Sequence, residues 1–371
     1  MQHPSSAEMP WSAWAFPLVG LLFFALASFA GLGGSFSPSP VGIAFALALV
    51  PILFGTVFSA VHHAEVIAHR TGEPYGTLVL TVAVTIIEVA LITSVMLSEE
   101  GGSPTLARDT VFAVVMIVCN GLVGLCILMG GLRYREQSFR VTGANAYLVV
   151  LIVLAALTLV LPNYTVAAQG PAFSASQLAF VSAVTLALYG VFLYIQTVRH
   201  RDYFVVLGDE GTTGVPHVPS TRAVVLSTVF LLIALTAVVL LAKKFAAVVE
   251  VGRSAIGALP AVTGVIVALL ILLPEGVAAV QAARQNALQK ALNLALGSSL
   301  ATIGLTVPAV AVVTIALGKG LALGLSPKDT ALLAITLLVS TLTFGTGRTN
   351  VLYGFVHLVM FATFLFLVFV P

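Results

Sequence analysis

Of the fourteen acidic residues in the chain, only two lie well inside apolar runs. Glu88 sits in Leu78-Val79-Leu80-Thr81-Val82-Ala83-Val84-Thr85-Ile86-Ile87-Glu88-Val89-Ala90-Leu91-Ile92, and Glu275 in Val267-Ala268-Leu269-Leu270-Ile271-Leu272-Leu273-Pro274-Glu275-Gly276-Val277. An ionisable group at membrane depth costs about 2.5–3.5 kcal/mol on insertion scales, so its presence points to a functional site. Neutral oxygens accompany the two acids: Thr85 one turn before Glu88, Asn120 in Cys119-Asn120-Gly121, and Ser298, Ser299 and Thr302 in Gly297-Ser298-Ser299-Leu300-Ala301-Thr302. Two convergent carboxylates with hydroxyl, amide and carbonyl oxygens suit a hard cation such as Ca²⁺. Glu88 and Glu275 are then the metal-binding acids. The same acids can hold protons, so cation and proton compete for them. Competition joined to alternating access gives an antiporter with no second site and no cofactor.

A second polar constellation lies earlier in the chain. His62, Glu65 and His69 are spaced three and four apart and line one helix face. A zinc protease needs His-Glu-x-x-His, whereas the order here is His-x-x-Glu-x-x-x-His. This face reads as a polar cytoplasmic vestibule or proton relay, and His63, pointing away from it, reads as interfacial. Two rival functions share some of these residues. A passive cation channel could use the same glutamates, and an intramembrane metal-dependent hydrolase would need acidic or Ser/His groups at depth. No aspartate is placed deep inside an assigned span, Asp109 and Asp329 falling only at the starts of the spans at 109 and 328, and His357 has no serine motif beside it.

These groups must be positioned by membrane helices. The 371 residues are 59% hydrophobic and 8% charged, against about 25% charged in soluble domains, so lipid is the solvent for most of the chain. Runs of about 20 apolar residues fall at 14–32, 40–61, 75–97, 109–132, 144–161, 175–198, 222–241, 258–284, 291–317, 328–346 and 350–370. That is an all-α integral membrane protein of about eleven transmembrane helices. The interrupted stretch 243–257, with Lys243, Lys244, Glu250 and Arg253, reads as an interfacial segment leading into the eighth span. No Lys or Arg precedes the first span, which reads as a retained helix and not a secretory signal. Lys and Arg divide ten to six in favour of the loops on the N-terminal side, which predicts a cytoplasmic N-terminus and an outward C-terminus in a bacterial inner membrane. The net charge of +2 offers no footprint for nucleic acid. The implied partners are the transported ions and the bilayer, with a homo-oligomer left open. Cys119 and Cys126 match no metal or redox spacing and read as small packing residues.

The acids fall in the third and eighth spans, five apart. An odd separation makes equivalent helices run in opposite directions, the arithmetic of an inverted repeat with its substrate site at the midplane. A glycine precedes each acid at nearly the same distance, Gly76 by twelve residues and Gly264 by eleven. The predicted organisation is an N-terminal segment with a peripheral helix (1–39), one five-helix repeat (40–198), a polar connecting loop (199–221) and a second inverted five-helix repeat (222–371). Pro274 is expected to break the eighth span just before Glu275 and free carbonyls as ligands. Pro308 is given only a packing role in the ninth.

At these residues the chain resembles the cation/Ca²⁺ exchanger superfamily, and within it the bacterial ChaA-type calcium/sodium/potassium–proton antiporters. The resemblance is carried by His62-His63-Ala64-Glu65-Val66-Ile67-Ala68-His69-Arg70, by Gly72-Glu73-Pro74-Tyr75-Gly76-Thr77 through Glu88, and by Pro274-Glu275-Gly276 through Gly297-Ser298-Ser299-Leu300-Ala301-Thr302. It implies eleven helices in two inverted repeats around a central cation site. Glu88 and Glu275 match the two repeat glutamates, and Ser298 and Ser299 the Gly-Ser-Ser segment. It also implies Na⁺ or K⁺ beside Ca²⁺ as cargo. The wider superfamily writes Gly-Asn-x-x-Glu before its acids, whereas this chain has Val84-Thr85-Ile86-Ile87-Glu88 and Leu272-Leu273-Pro274-Glu275. The asparagine amides are absent, so the Ca²⁺ ligand set does not carry over whole.

Overall fold

The computed structural model describes residues 9–31, 37–72, 75–96, 104–205, 219–318 and 320–370. Among them eleven long helices follow one another: α1 (Trp11–Phe29), α2 (Pro40–Thr71), α3 (Tyr75–Met96), α4 (Leu106–Tyr134), α5 (Val141–Tyr164), α6 (Ala175–Arg199), α7 (Thr221–Ala255), α8 (Pro260–Arg284), α9 (Leu288–Ala316), α10 (Pro327–Phe344) and α11 (Val351–Phe369). Ten are long and apolar enough to cross a membrane. The eleventh, α10, is an 18-residue helix whose first turn carries Lys328 and Asp329. The protein is therefore an all-α membrane protein, as composition requires, since only helices or closed barrels satisfy their backbone in lipid. Residues Gly72-Glu73-Pro74 and most of the 199–221 loop lie partly or wholly outside the described residues.

Local signals start the helices. Ser39 caps α2 by accepting from the Gly42 amide at 3.2 Å, with Pro40 as first helical residue. Ser174 and Gln177 form a reciprocal capping box at α6, Ser326 caps α10 ahead of Pro327, and Asn350 caps α11. Such caps satisfy amides that the first turn leaves without carbonyls.

The described residues fall into two compact units. The first holds α1, α2, α3 and α7 as far as Gly252. Here the structure corrects two expectations. The stretch 243–257 is no separate interfacial segment, because α7 runs unbroken from Thr221 to Ala255 and buries Lys244 and Glu250. Their apolar neighbours keep the helical period, and Lys244 rests its ammonium 5.6 Å from the Phe24 ring centroid, so the charges do not end the helix. Nor is His63 interfacial. It is fully buried, its Nε2 lies 2.9 Å from the Ala13 carbonyl oxygen, its Nδ1 3.2 Å from Ser227 Oγ, and its ring stacks on Phe230. One side chain thus joins α1, α2 and α7.

The second unit holds α4, α5, α6, α8, α9, α10 and α11. Its centre is α4, buried without interruption from Asp109 to Gly124 and packed against α8, α9 and α11. A helix apolar on every side belongs in such an interior. Two short strands, β1 (Glu136–Ser138) and β2 (Arg348–Asn350), pair antiparallel. Cys119 and Cys126 are buried free thiols in α4. The two aspartates at the starts of assigned spans lie inside helices. Asp109 and Asp329 occupy the first turns of α4 and α10, where helix N-termini favour negative charge.

Candidate functional site

In the first unit, Glu88 is 1% exposed, among the buried Ile87, Leu91 and Ile92 of α3. Thr77, Thr81, Thr85 and Glu88 follow one stripe of that helix, at spacings of four, four and three. Thr81 donates its hydroxyl proton to the Thr77 carbonyl and Thr85 donates to the Thr81 carbonyl, both at 2.8 Å. With its proton committed to its own helix, Thr85 offers only lone pairs to anything beside Glu88. Gly76 begins this stripe for a steric reason. A Cβ there would stand 2.6 Å from the Ala68 carbonyl oxygen, so α2 and α3 cross as closely as backbones allow.

The second unit holds Glu275, half-buried in α8. The expected break at Pro274 is absent, for α8 continues as helix from Pro260 to Arg284. A proline can be carried within a membrane helix when neighbours and local adjustment absorb the lost hydrogen bond. Only the carbonyl one turn back loses its amide donor, so no run of free carbonyls appears. Gly264 repeats the role of Gly76. A Cβ there would lie 2.8 Å from the Asp109 carbonyl carbon and 2.9 Å from the Thr110 nitrogen, which sets the α4–α8 crossing.

The neutral candidates of this unit lie on α4 and α9, which pack on each other and on α8. Asn120 is 0% exposed and sits in a π-helical turn, Ile117–Leu122. Its amide nitrogen donates to Thr336 Oγ1 of α10 at 2.9 Å, and that hydroxyl donates to the Met116 sulfur at 3.5 Å. This chain leaves the buried Asn120 carbonyl oxygen without a hydrogen-bond partner. In α9, Ser298 is half-buried and Ser299 buried, the latter donating to the Leu296 carbonyl at 2.9 Å. Thr302 is also buried and opens another π-helical turn, Thr302–Thr306, just before Pro308. Turns of this kind recur at functional sites. Asn120, Ser299 and Thr85 share one property: each has given its proton away and keeps an oxygen acceptor, the arrangement a cation ligand requires.

Among the described residues, no three His, Cys, Asp or Glu side chains gather as a metal cluster. On α2, Glu65 and His69 are exposed and His62 is half-buried. His62 borders a cavity of about 390 Å³ beside Ser12, Phe16 and Phe58. Asp109 is a different kind of acid from Glu88. Arg108 pairs with it at 2.8 Å and Thr105 donates to it at 2.8 Å, so its charge is matched at the helix end.

Sequence reading missed Thr336, which fixes Asn120, and the buried polar stripe Thr336, Ser340 and Thr343 that continues along α10. Thr343 Oγ1 meets His357 Nε2 of α11 at 3.0 Å. Spacings of four and three were visible, but hydroxyls in a membrane helix equally satisfy their own backbone.

An all-α membrane protein with carboxylates inside its apolar helices is of the kind that moves ions. Residues 40–198 and 226–370 match the family of the sodium/calcium exchanger protein, and the chain belongs to that family. It is similar to the y4hA protein of Sinorhizobium fredii, 47% identical over 99% of this chain and 98% of that one. It is also similar to the sodium-potassium/proton antiporter ChaA of Escherichia coli K12, 42% identical over 91% of this chain and 92% of the relative. Among solved structures, native YfkE shares the fold with a TM-score of 0.73 at 16% identity, covering 97% of this chain and all of YfkE. The resemblance to the ChaA-type branch of the cation/Ca²⁺ exchangers therefore holds, and the protein is a multi-pass cation antiporter, not an enzyme.

Proposed function

We propose that this antiporter exports Ca²⁺, and Na⁺ or K⁺ as further cargo, in exchange for protons, with Glu88 and Glu275 as the groups that bind either. The observation that carries the reading is Glu88, 1% exposed in an apolar helix with the Thr85 oxygen one turn away. A buried carboxylate is tolerable when protonated or when neutralised by a cation, and costly when bare. Protein that carries only the two neutralised states across the membrane exchanges ions and does not leak them. Na⁺ and K⁺ enter because the Escherichia coli relative is named a sodium-potassium/proton antiporter. Ca²⁺ is supported by the presence of one such acid in each unit and by the name of a solved fold neighbour, a Ca²⁺/H⁺ antiporter.

In this reading Thr85, Asn120, Ser298, Ser299 and Thr302 supply neutral ligands, and His62, Glu65 and His69 form a polar vestibule. The halves 40–198 and 222–371 act as inverted repeats that open the acids to either side in turn, beside a peripheral α1. The N-terminus is cytoplasmic in the bacterial inner membrane, from the Lys/Arg distribution. The test is dissipation of a preformed ΔpH in everted vesicles on adding Ca²⁺, Na⁺ or K⁺ separately. Proton-coupled uphill flux supports exchange, and flux that runs only downhill makes the protein a channel.

A further inference from the structure

Four residues at the C-terminal ends of α4 and α8 border an open cavity of about 240 Å³: Met129, Leu132, Arg133 and Arg284. Both arginines are exposed. Among the described residues, neither guanidinium has a carboxylate within ion-pairing distance, Glu136 included. Tyr134 adjoins two of these residues. The Tyr134 hydroxyl donates to the Arg284 carbonyl at 3.0 Å and ties the two helix ends together. The Arg133 guanidinium stands 5.5 Å from the centroid of the Tyr134 ring. Both helices are membrane spans, so their ends lie at the level of lipid headgroups, where tyrosine is itself enriched.

Two cations that no described carboxylate matches, beside an apolar wall, make an amphipathic receptor. Leu132 is 67% exposed and, with Met129, offers a surface that a free anion would not use. We propose that this cavity binds the phosphodiester headgroup of an anionic phospholipid, Arg133 and Arg284 holding the phosphate while the first acyl carbons lie on Leu132 and Met129. Guanidinium forks match phosphate oxygens geometrically. Basic pockets between membrane helices are known headgroup sites. A zwitterionic headgroup fits worse, because its ammonium cancels the charge that the arginines attract. The lipid would staple α4 to α8, the helix that carries Glu275.

The test uses the full-length protein in detergent and native mass spectrometry of bound lipid. Phosphatidylglycerol and phosphatidylcholine of identical chains are titrated in turn, and inorganic phosphate is added as competitor. The double variant Arg133→Gln/Arg284→Gln should bind phosphatidylglycerol about thirtyfold more weakly, which is about 2 kcal/mol at 1.4 kcal/mol per tenfold. Each single variant should lose about fivefold on the same basis, so the result stands even if the double variant is poorly produced. A charge-matched control, Arg135→Gln/Arg348→Gln, removes two exposed arginines outside the cavity and should bind as the wild type does. Equal losses in the control and cavity variants would mean diffuse charge attraction and overturn the site. Equal binding of the two lipids would overturn it too, as would displacement by millimolar inorganic phosphate, which would make it a free-anion site.

Discussion

Replacing Gly264 by alanine tests whether the α4–α8 crossing sets the position of Glu275. The new Cβ would stand 2.8 Å from the Asp109 carbonyl carbon and 2.9 Å from the Thr110 nitrogen. Both are backbone atoms of the most buried helix, so no side chain can swing aside. Restoring an ordinary carbon contact of about 3.5–4.0 Å requires the helices to part locally by roughly 1 Å. Overpacking of this kind costs about 1–3 kcal/mol, while Gly→Ala in a helix returns about 1 kcal/mol of propensity. The net expectation is a loss of about 0–2 kcal/mol. Gly190 of α6 supplies the contrast, since a Cβ there meets nothing within 4 Å and only the gain of about 1 kcal/mol remains. Glu275 lies eleven residues, three turns, beyond Gly264, so the displacement reaches the same face of α8 that bears the acid. Thermal melts in detergent should shift downward, or stay level, for Gly264→Ala and upward for Gly190→Ala. Cation-dependent ΔpH dissipation should fall by about tenfold or more in the first, as misplacements near 1 Å do in other sites, and stay unchanged in the second. If Gly264→Ala raises the melting temperature as Gly190→Ala does and transports at the wild-type rate, the crossing does not position the acid.

Glu88→Gln and Glu275→Gln should each abolish exchange in vesicles matched for protein amount, because an amide neither releases a proton nor balances a cation's charge. Glu→Asp at either site keeps the charge and should be milder, and wild-type exchange by either Gln variant removes the two-carboxylate mechanism. Apparent cation affinity should improve as pH rises, since protons and cations compete for the same oxygens. An affinity flat across the range where transport titrates would contradict that competition. Thr336→Val should cost about 1–3 kcal/mol by stranding the buried Asn120 amide and should weaken apparent cation affinity, whereas Thr336→Ser should restore both, read as a melt and a cation titration. Glu65→Gln should shift the pH profile of transport without eliminating it, and complete loss of exchange would move Glu65 from the vestibule into the ion path.

Sequence alone determined the solvent of this protein, the positions of its helices and the two acids on which exchange is proposed to depend. Those are one-dimensional properties: runs of about 20 apolar residues fit a bilayer, and a carboxylate in such a run is conspicuous because it is costly there. The glycines before the acids were legible as a spacing, but only tertiary structure showed Gly76 and Gly264 as backbone crossings, because contact with a neighbouring helix leaves no periodic trace. The same limit hid His63. One residue away from a polar helix face, it looked interfacial until α1 and α7 were seen to close over it. Pro274 and the charges at 243–257 looked like breaks because propensity penalises them locally, yet packing and continued apolar periodicity carry α8 and α7 straight through. Asn120 was visible as a polar residue in an apolar helix. That its amide is spent on Thr336, leaving its carbonyl oxygen to accept, depended on a helix 216 residues further along the chain, and only the folded protein decides that pairing.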